Sequence, residues 1–572
     1  MFICFRCILF IAFLFSFFSC SNKEGKSKTI FTLLDSSYTG INFVNNLPIN
    51  VMTDDNVLSS QYYYNGGGVA IGDVNNDGLS DIYLTANKSS NKLFLNLGNL
   101  KFKDVTEEAG VGSNRFSTGA TFVDINNDGF LDLYVCNSGV KSTKIKDRAN
   151  QFYINQGDGT FKELAKDYRI NDPNFSTHAA FFDYDKDGDL DLYVLNYSID
   201  FRGDVTKRDY NDNDLKQYSG RMLENLGLKF KDVTKESGLL HYGYGLGVAV
   251  SDINNDNWPD LYVANDFTIP DKMFINNGDK TFTDKIKSFT NQTSWFSMGV
   301  DISDFNNDGF VDIGLLDMAS QDHVRGKIFM ASMDPNNFYY LVNELGYQYQ
   351  YMFNSLQINN GNNTFSNIAN LSGVAKTDWS WAPLFADFNN DGFKDYFVSN
   401  GYRRVFGDND FQIKLNRYKK LNKLDQKNRE VLYYEMPELQ LPNKLYINDK
   451  NLKFRDLGEM EGVTQGSFSN GAAYGDLDND GDLDLVVNNI DQETFIYRNN
   501  SEKNSNSQFL KVNLLGEKPS DYYGAKVTLF YGEKMQLQEY SLSRGFMSSV
   551  EHNLHFGLLK NVESIDSVAV NW

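Results

Sequence analysis

The sequence predicts an all-β protein: four-stranded sheets closed into a seven-bladed β-propeller, followed by a small β-rich domain. Three observations carry this prediction. A nine-residue acidic stretch recurs seven times, and each copy lies between two short apolar strands. The loop starts, at residues 73, 124, 183, 252, 304, 387 and 476, are 51 to 89 residues apart, which suits four strands with variable insertions.

The seven stretches read DVNNDGLSD, DINNDGFLD, DYDKDGDLD, DINNDNWPD, DFNNDGFVD, DFNNDGFKD and DLDNDGDLD. Each sets oxygen-bearing side chains at positions 1, 3, 5 and 9. In chain order these are Asp73, Asn75, Asp77 and Asp81; Asp124, Asn126, Asp128 and Asp132; Asp183, Asp185, Asp187 and Asp191; Asp252, Asn254, Asp256 and Asp260; Asp304, Asn306, Asp308 and Asp312; Asp387, Asn389, Asp391 and Asp395; Asp476, Asp478, Asp480 and Asp484. Calcium is a hard cation that takes six to eight oxygens, backbone carbonyls included. Position 7 varies (Leu79, Phe130, Asp189, Trp258), as a position lending only its carbonyl would. Position 6 is glycine in six copies and Asn257 in the fourth, the residue types that best tolerate a left-handed turn. About seven Ca2+ sites are therefore expected. An EF-hand is excluded, because position 12 is Leu or Val throughout where that loop needs glutamate.

The strand after each loop (IYL, LYV, LYV, LYV, IGL, YFV, LVV) has buried-strand composition. The strand before it is built of small residues, as in GGGVAIG, STGATFV and SNGAAYG, which suits a crowded centre where strands converge. Third strands follow in KLFLNLG, QFYINQG, RMLENLG, KMFINNG, NSLQINNG, KLYINDK and FIYRNN, and fourth strands in segments such as FKDVTEEAGV. The seventh unit has no fourth strand after FIYRNN. FTLLDSSYTGI, residues 31 to 41, has the fourth-strand pattern with no unit before it, so it is expected to close the ring over residues 31–500.

The first twenty residues, MFICFRCILFIAFLFSFFSC, are a targeting segment rather than fold: one arginine, an apolar run too short to span a membrane, then Ser19-Cys20 and a polar stretch. The segment resembles a bacterial lipoprotein signal, which implies cleavage after residue 19, lipidation of Cys20, a linker over 20–30 and an anchor in the envelope, at the outer membrane. After cleavage only Cys20 and Cys136 remain, so no disulfide framework is available and stability must come from elsewhere. The net charge of −21 opposes binding to a phosphate backbone, so nucleic-acid binding is not expected.

With these units in place, residues 31–500 resemble the FG-GAP/VCBS-type calcium-loop propellers, whose blades look like those of the integrin alpha head. The tail YGAKVTLFYGEKMQLQEYSLSRGFMSSVEHNLHFGLLKNVESIDSVAVNW, within 505–572, resembles an ASPIC/UnbV domain, named from cartilage acidic protein and its bacterial relatives. TDWSWAPLFADFNNDGFKDYFVSNGY is similar to the sixth-blade region of bacterial surface-lipoprotein members. In those relatives the tail continues past the tryptophan that is Trp572 here. The resemblance implies surface binding and adhesion, with no activity to carry over.

Insertions follow the second strands at about 137–150, 196–220, 317–353 and 400–442, and the last is expected to form a lysine-rich amphipathic helix packed over one face. Eight residues before the loops stand Phe116, Phe175, Tyr244, Phe296, Trp379 and Phe468, with Asn65 beside Tyr64 in the first unit. Such a ring either stacks on a sugar or peptide at a channel mouth or wedges against neighbouring blades. GxSxG, HExxH and P-loop motifs are absent, and His178 is expected to be a packed structural histidine. The Arg202–Asp204 tripeptide RGD is of a kind that chance supplies. The expected function is non-enzymatic, calcium-stabilised surface binding of a glycan or protein; the alternative is a carbohydrate-active enzyme with its site on the insertion-bearing face.

Overall fold

In a computed structural model, the described residues are 29–199, 212–227, 229–329, 335–503 and 507–572. The signal segment, Cys20 and the RGD tripeptide lie outside them. The described chain is all-β and propeller-like, with helices confined to short turns and the insertions.

Seven sheets carry the seven loops, each built on four antiparallel strands in up-and-down order, the first being extended to six strands by two short strands of the tail. The second is representative: Ser117–Val123, Asp132–Asn137, Gln151–Asn155 and Phe161–Glu163, with the acidic loop joining the first two strands. The seventh sheet takes its outer strand from the other end of the chain. Phe31–Leu34 pairs antiparallel with Phe495–Asn499, Phe31 lying opposite Asn499. Phe31 is buried there, its ring edge-on to Phe388 and Tyr497. First strands of neighbouring sheets touch in order around the molecule, and Ser469–Gly475 of the seventh touches Val69–Gly72 of the first. The ring is thus closed without an open sheet edge between its first and last units.

The sequence reading set the tail after the ring; the structure drives part of it through the ring's centre. Lys526–Tyr531 pairs with Lys534–Glu539 on one side and Ser567–Asn571 on the other, and Ser507–Val512 pairs with Leu554–Leu559. Between these, Ser543–Arg544 and Ser548–Ser549 form a hairpin that contacts the first strands of all seven sheets. Ser549 pairs with Ala70, and Gly545 bridges to Val300. Phe546 and Met547 at the hairpin tip are fully buried. Here the small-residue strands find their physical reason: a Cβ on Gly68 would lie 1.7 Å from the Met547 carbonyl oxygen.

An ion pair fixes the hairpin. Arg544 donates to Asp301 Oδ1 at 2.8 Å and to the Ile302 carbonyl at 2.8 Å, while Asp301 Oδ2 accepts the Phe385 amide at 2.7 Å. Asp301 lies on the first strand of the fifth sheet and is fully buried, so its charge depends on Arg544.

The fourth insertion forms two helices rather than one, Asn409–Lys420 and Gln426–Glu435. Asp425 starts the second by accepting the Asn428 amide, the usual work of an N-cap, so the turn before it ends the first helix. Phe411, Leu415, Leu432 and Tyr433 face the ring and are buried, and the lysines lie on the outer side.

Candidate metal centres

Each acidic loop is curled around the carboxylate at its first position. In the first loop, Asp73 accepts the Asp77 amide through Oδ1 at 3.2 Å and the Gly78 amide through Oδ2 at 2.7 Å. The curl needs left-handed backbone at Asn76 (φ 57°) and Gly78 (φ 84°). The aspartate at position 9 lies beneath and ties loop to sheet: Asp81 accepts the Val74 amide at 3.0 Å and, from the third strand, the Asn96 amide at 2.8 Å. The same pair of bonds recurs at Asp132, Asp191, Asp260, Asp312, Asp395 and Asp484.

The electrostatics of the loops call for a cation. All seven position-9 aspartates are buried. Burial, reinforced by the neighbouring carboxylates, pushes Asp81 up to about 7, Asp132 to about 8 and Asp191 to about 9, and Asp260, Asp312, Asp395 and Asp484 are raised in the same way. Asp183 and Asp304, at position 1, rise to about 6. A divalent ion within each loop would hold these groups ionised.

The residues fit such an ion. In the third loop Asp183, Asp185 and Asp187 each offer an oxygen within 4.8 Å of the others, and in the seventh Asp476, Asp478 and Asp480 do the same. One oxygen on each of these three seventh-loop aspartates is buried and accepts no hydrogen bond. In the first, second, fourth and fifth loops position 3 is asparagine, whose amide nitrogen donates to the position-5 aspartate at 2.7 to 3.0 Å and leaves the amide oxygen turned to the loop's own backbone. Oxygen-only donors of this kind suit calcium or magnesium rather than a thiophilic metal. The sixth loop has the same donor set in Asp387, Asn389, Asp391 and Asp395, with Asp391 accepting Lys450 at 3.2 Å.

Two sets of residues escaped the sequence reading. The asparagine ending each third strand (Asn96, Asn155, Asn225, Asn276, Asn359, Asn448, Asn499) supplies the amide that meets the position-9 aspartate. Six of them also reach the preceding sheet, as Asn155 Nδ2 does to the Val74 carbonyl at 2.8 Å. The signal was present, since every third strand carries the asparagine at one place. Loop asparagines at position 4 join neighbours directly: Asn76 donates to Gly129, Asn307 to Gly392, Asn390 to Gly481, and Asn479 back to Gly78.

The tail lies on this loop face. Lys526 reaches Asp252 Oδ2 at 2.7 Å and Asn255 Oδ1 at 2.6 Å. Lys511 lies 3.5 Å from Asp476, and Ser520 donates to the Gly188 carbonyl at 2.8 Å.

On the opposite face the aromatic ring is packed away. Phe116, Phe175, Tyr244, Trp379 and Phe468 are buried, Phe296 is half-buried, and Tyr64 and Asn65 are buried beside them. The segment before the first sheet and the fourth insertion cover them. Tyr63 meets Phe116, Tyr64 hydrogen-bonds Tyr433, and Trp379 stacks on Tyr402 with ring centres 3.8 Å apart. The six positions therefore form a core under the insertions, and the picture of an open aromatic mouth does not hold for this conformation. His178 is buried in the ring and its pKa falls to about 4 through burial, in keeping with a packed neutral imidazole.

Comparison with known proteins agrees with this architecture. The FG-GAP-like repeat family matches residues 57–135, 143–194, 252–315, 339–398 and 436–487, and the ASPIC and UnbV family matches residues 516–572. Human (Homo sapiens) cartilage acidic protein 1 is 24% identical over 533 residues, covering 88% of this chain and 68% of that protein. The Xenopus tropicalis protein of that name is 28% identical over 285 residues, 46% of this chain and 43% of its own. A solved structure, described as the basis of specific recognition of non-reducing terminal N-acetylglucosamine by an Agrocybe aegerita lectin, aligns with a TM-score of 0.37 at 13% identity, covering 69% of this chain and 82% of that one. With repeat matches running through more than half its length and the tail matched as well, the chain belongs to the FG-GAP-like repeat family and carries an ASPIC/UnbV domain.

Proposed function

We propose that this protein is a non-enzymatic binding protein of the bacterial envelope, held to the outer membrane through lipid on Cys20. Its seven sheets act as the blades of one propeller, stapled by about seven calcium ions. The observation that carries the reading is the division of labour between the faces. The loop face is repetitive, hydrogen-bonded from loop to loop and covered by the tail. The opposite face carries four insertions, each unlike the others, that present Ile413, Tyr434, Tyr339 and Tyr349 to solvent. Rigid repeats bearing variable loops are a common arrangement for recognition, and exposed tyrosines with polar neighbours suit a glycan or a protein surface. Because the six ring aromatics are packed, recognition falls to the insertions.

The test is a screen of residues 21–572 against immobilised glycans and envelope proteins, in calcium. Binding that Tyr434→Ala and Ile413→Ala weaken at least tenfold supports the reading. Binding indifferent to both variants, or turnover of a polysaccharide, contradicts it.

A further inference from the structure

The seventh loop differs from the other six. Like the third loop it has aspartate at position 7 as well as at positions 1, 3, 5 and 9, but here a glutamate reaches it from outside the loop. Glu502 lies on the short turn Ser501–Lys503 that follows the seventh sheet's third strand. Two groups of carboxylates form here, each with one oxygen per residue within 4.8 Å of the others: Asp476, Asp478 and Asp480, and then Asp480, Asp482 and Glu502. Asp480 belongs to both.

The hydrogen bonds leave one oxygen of each second-group residue unused. Arg498 takes Asp480 Oδ2 at 3.1 Å and Glu502 Oε1 at 3.1 Å. The Glu502 amide takes Asp482 Oδ2 at 2.9 Å. Asp480 Oδ1, Glu502 Oε2 and Asp482 Oδ1 are all buried and accept nothing. Asp482 itself is 1% exposed, so water cannot readily supply what its free oxygen lacks.

Charge points the same way. Five loop aspartates, Glu502 and the adjoining Glu551 bring seven negative charges, and Arg498 and Lys511 bring two positive. One divalent ion in the loop leaves three negative charges, which a second divalent ion lowers to one. We propose that the seventh loop holds two divalent cations, the second bound by Asp480, Asp482 and Glu502, with Asp480 bridging the pair. A hard ion such as Ca2+ fits three convergent carboxylates, with Glu502 on the more open side of the site. The inference rests on the reading that the loops take calcium.

The experiment is equilibrium dialysis of the full chain from residue 21 against calcium, with metal per protein read by atomic emission. Glu502→Gln and Asp482→Asn are each expected to lower the ratio by one ion per protein while circular dichroism stays that of the parent. Two variants are used so that a folding defect in one leaves the other informative. A parent that binds calcium and variants with an unchanged ratio overturn the second site while leaving the loops' calcium standing. A parent that binds none overturns the calcium reading itself, and this inference with it.

Discussion

The two faces of the ring are built by opposite rules. On the loop face one solution is repeated: an acidic curl, an aspartate beneath it and an asparagine from the third strand, with the tail laid over the whole. On the other face no solution repeats, and each insertion packs in its own way over the common aromatic layer. The difference teaches that similar chemistry in a sequence marks what every sheet needs for itself, whereas the divergent segments are where the proposed recognition is to be sought.

The largest way to break the comparison is to remove metal. Extracellular calcium modules bind with dissociation constants of roughly 0.1–1 mM. At about 1 mM calcium each site then adds roughly 0.4–1.4 kcal/mol, and seven sites add about 3–10 kcal/mol. Scanning calorimetry should show a drop in Tm of about 3–9 degrees after EDTA treatment and gel filtration, because a chain of this size loses only about one degree per kcal/mol.

The hairpin is the next point of attack. Arg544→Ala leaves the Asp301 carboxylate buried without its partner and should cost about 3–5 kcal/mol in a denaturant titration. The double replacement Arg544→Met with Asp301→Leu should recover most of that loss, because the buried charge is gone. If the single variant unfolds like the parent, the hairpin does not hold the ring's centre.

A smaller effect distinguishes metal-free from loaded protein by pH. In metal-free protein the folded pKa values of Asp81 and Asp132, about 7 and about 8, lie above the unfolded value near 4. Raised acid pKa values favour the folded state at low pH, and that contribution is lost as pH rises from about 4 to about 8. Metal-free protein should therefore lose Tm over this range. Protein in calcium should gain Tm across the upper part of it, since the ion needs the ionised carboxylates. Parallel pH–Tm curves would contradict the assignment of these aspartates as ligands.

The smallest expected effect lies on the far face. Tyr434→Ala, at a side chain 70% exposed, should change stability by less than about 0.5 kcal/mol while weakening ligand binding. A stability loss comparable to that of a loop variant would mean that the insertions also hold the fold.

How much could be read in advance follows the same division. The loops, the flanking strands and the closing strand at Phe31–Leu34 were legible because each depends on residues within one unit or on one repeated pattern. The third-strand asparagines were equally legible and were passed over only because they look like turn residues. The hairpin was not legible: Arg544 meets Asp301 across 243 residues, and nothing local in SRGFMSS says that it enters a ring. The one clue was Asp301 itself, a charge in a strand otherwise small and apolar. The aromatic positions were found correctly as a pattern, but what covers them comes from the unrepeated segments around Tyr63 and Tyr433.

The most direct test of the account is amide hydrogen exchange with and without calcium, read residue by residue. Removing calcium should sharply raise exchange at the amides held by the position-9 aspartates, Asn96, Asn155, Asn276 and their counterparts, and in the hairpin around Arg544. Helix amides in Asn409–Lys420 should change far less at early times. Equal protection of the loop amides with and without calcium, or losses confined to the insertion helices, would contradict the claim that the loops staple this ring.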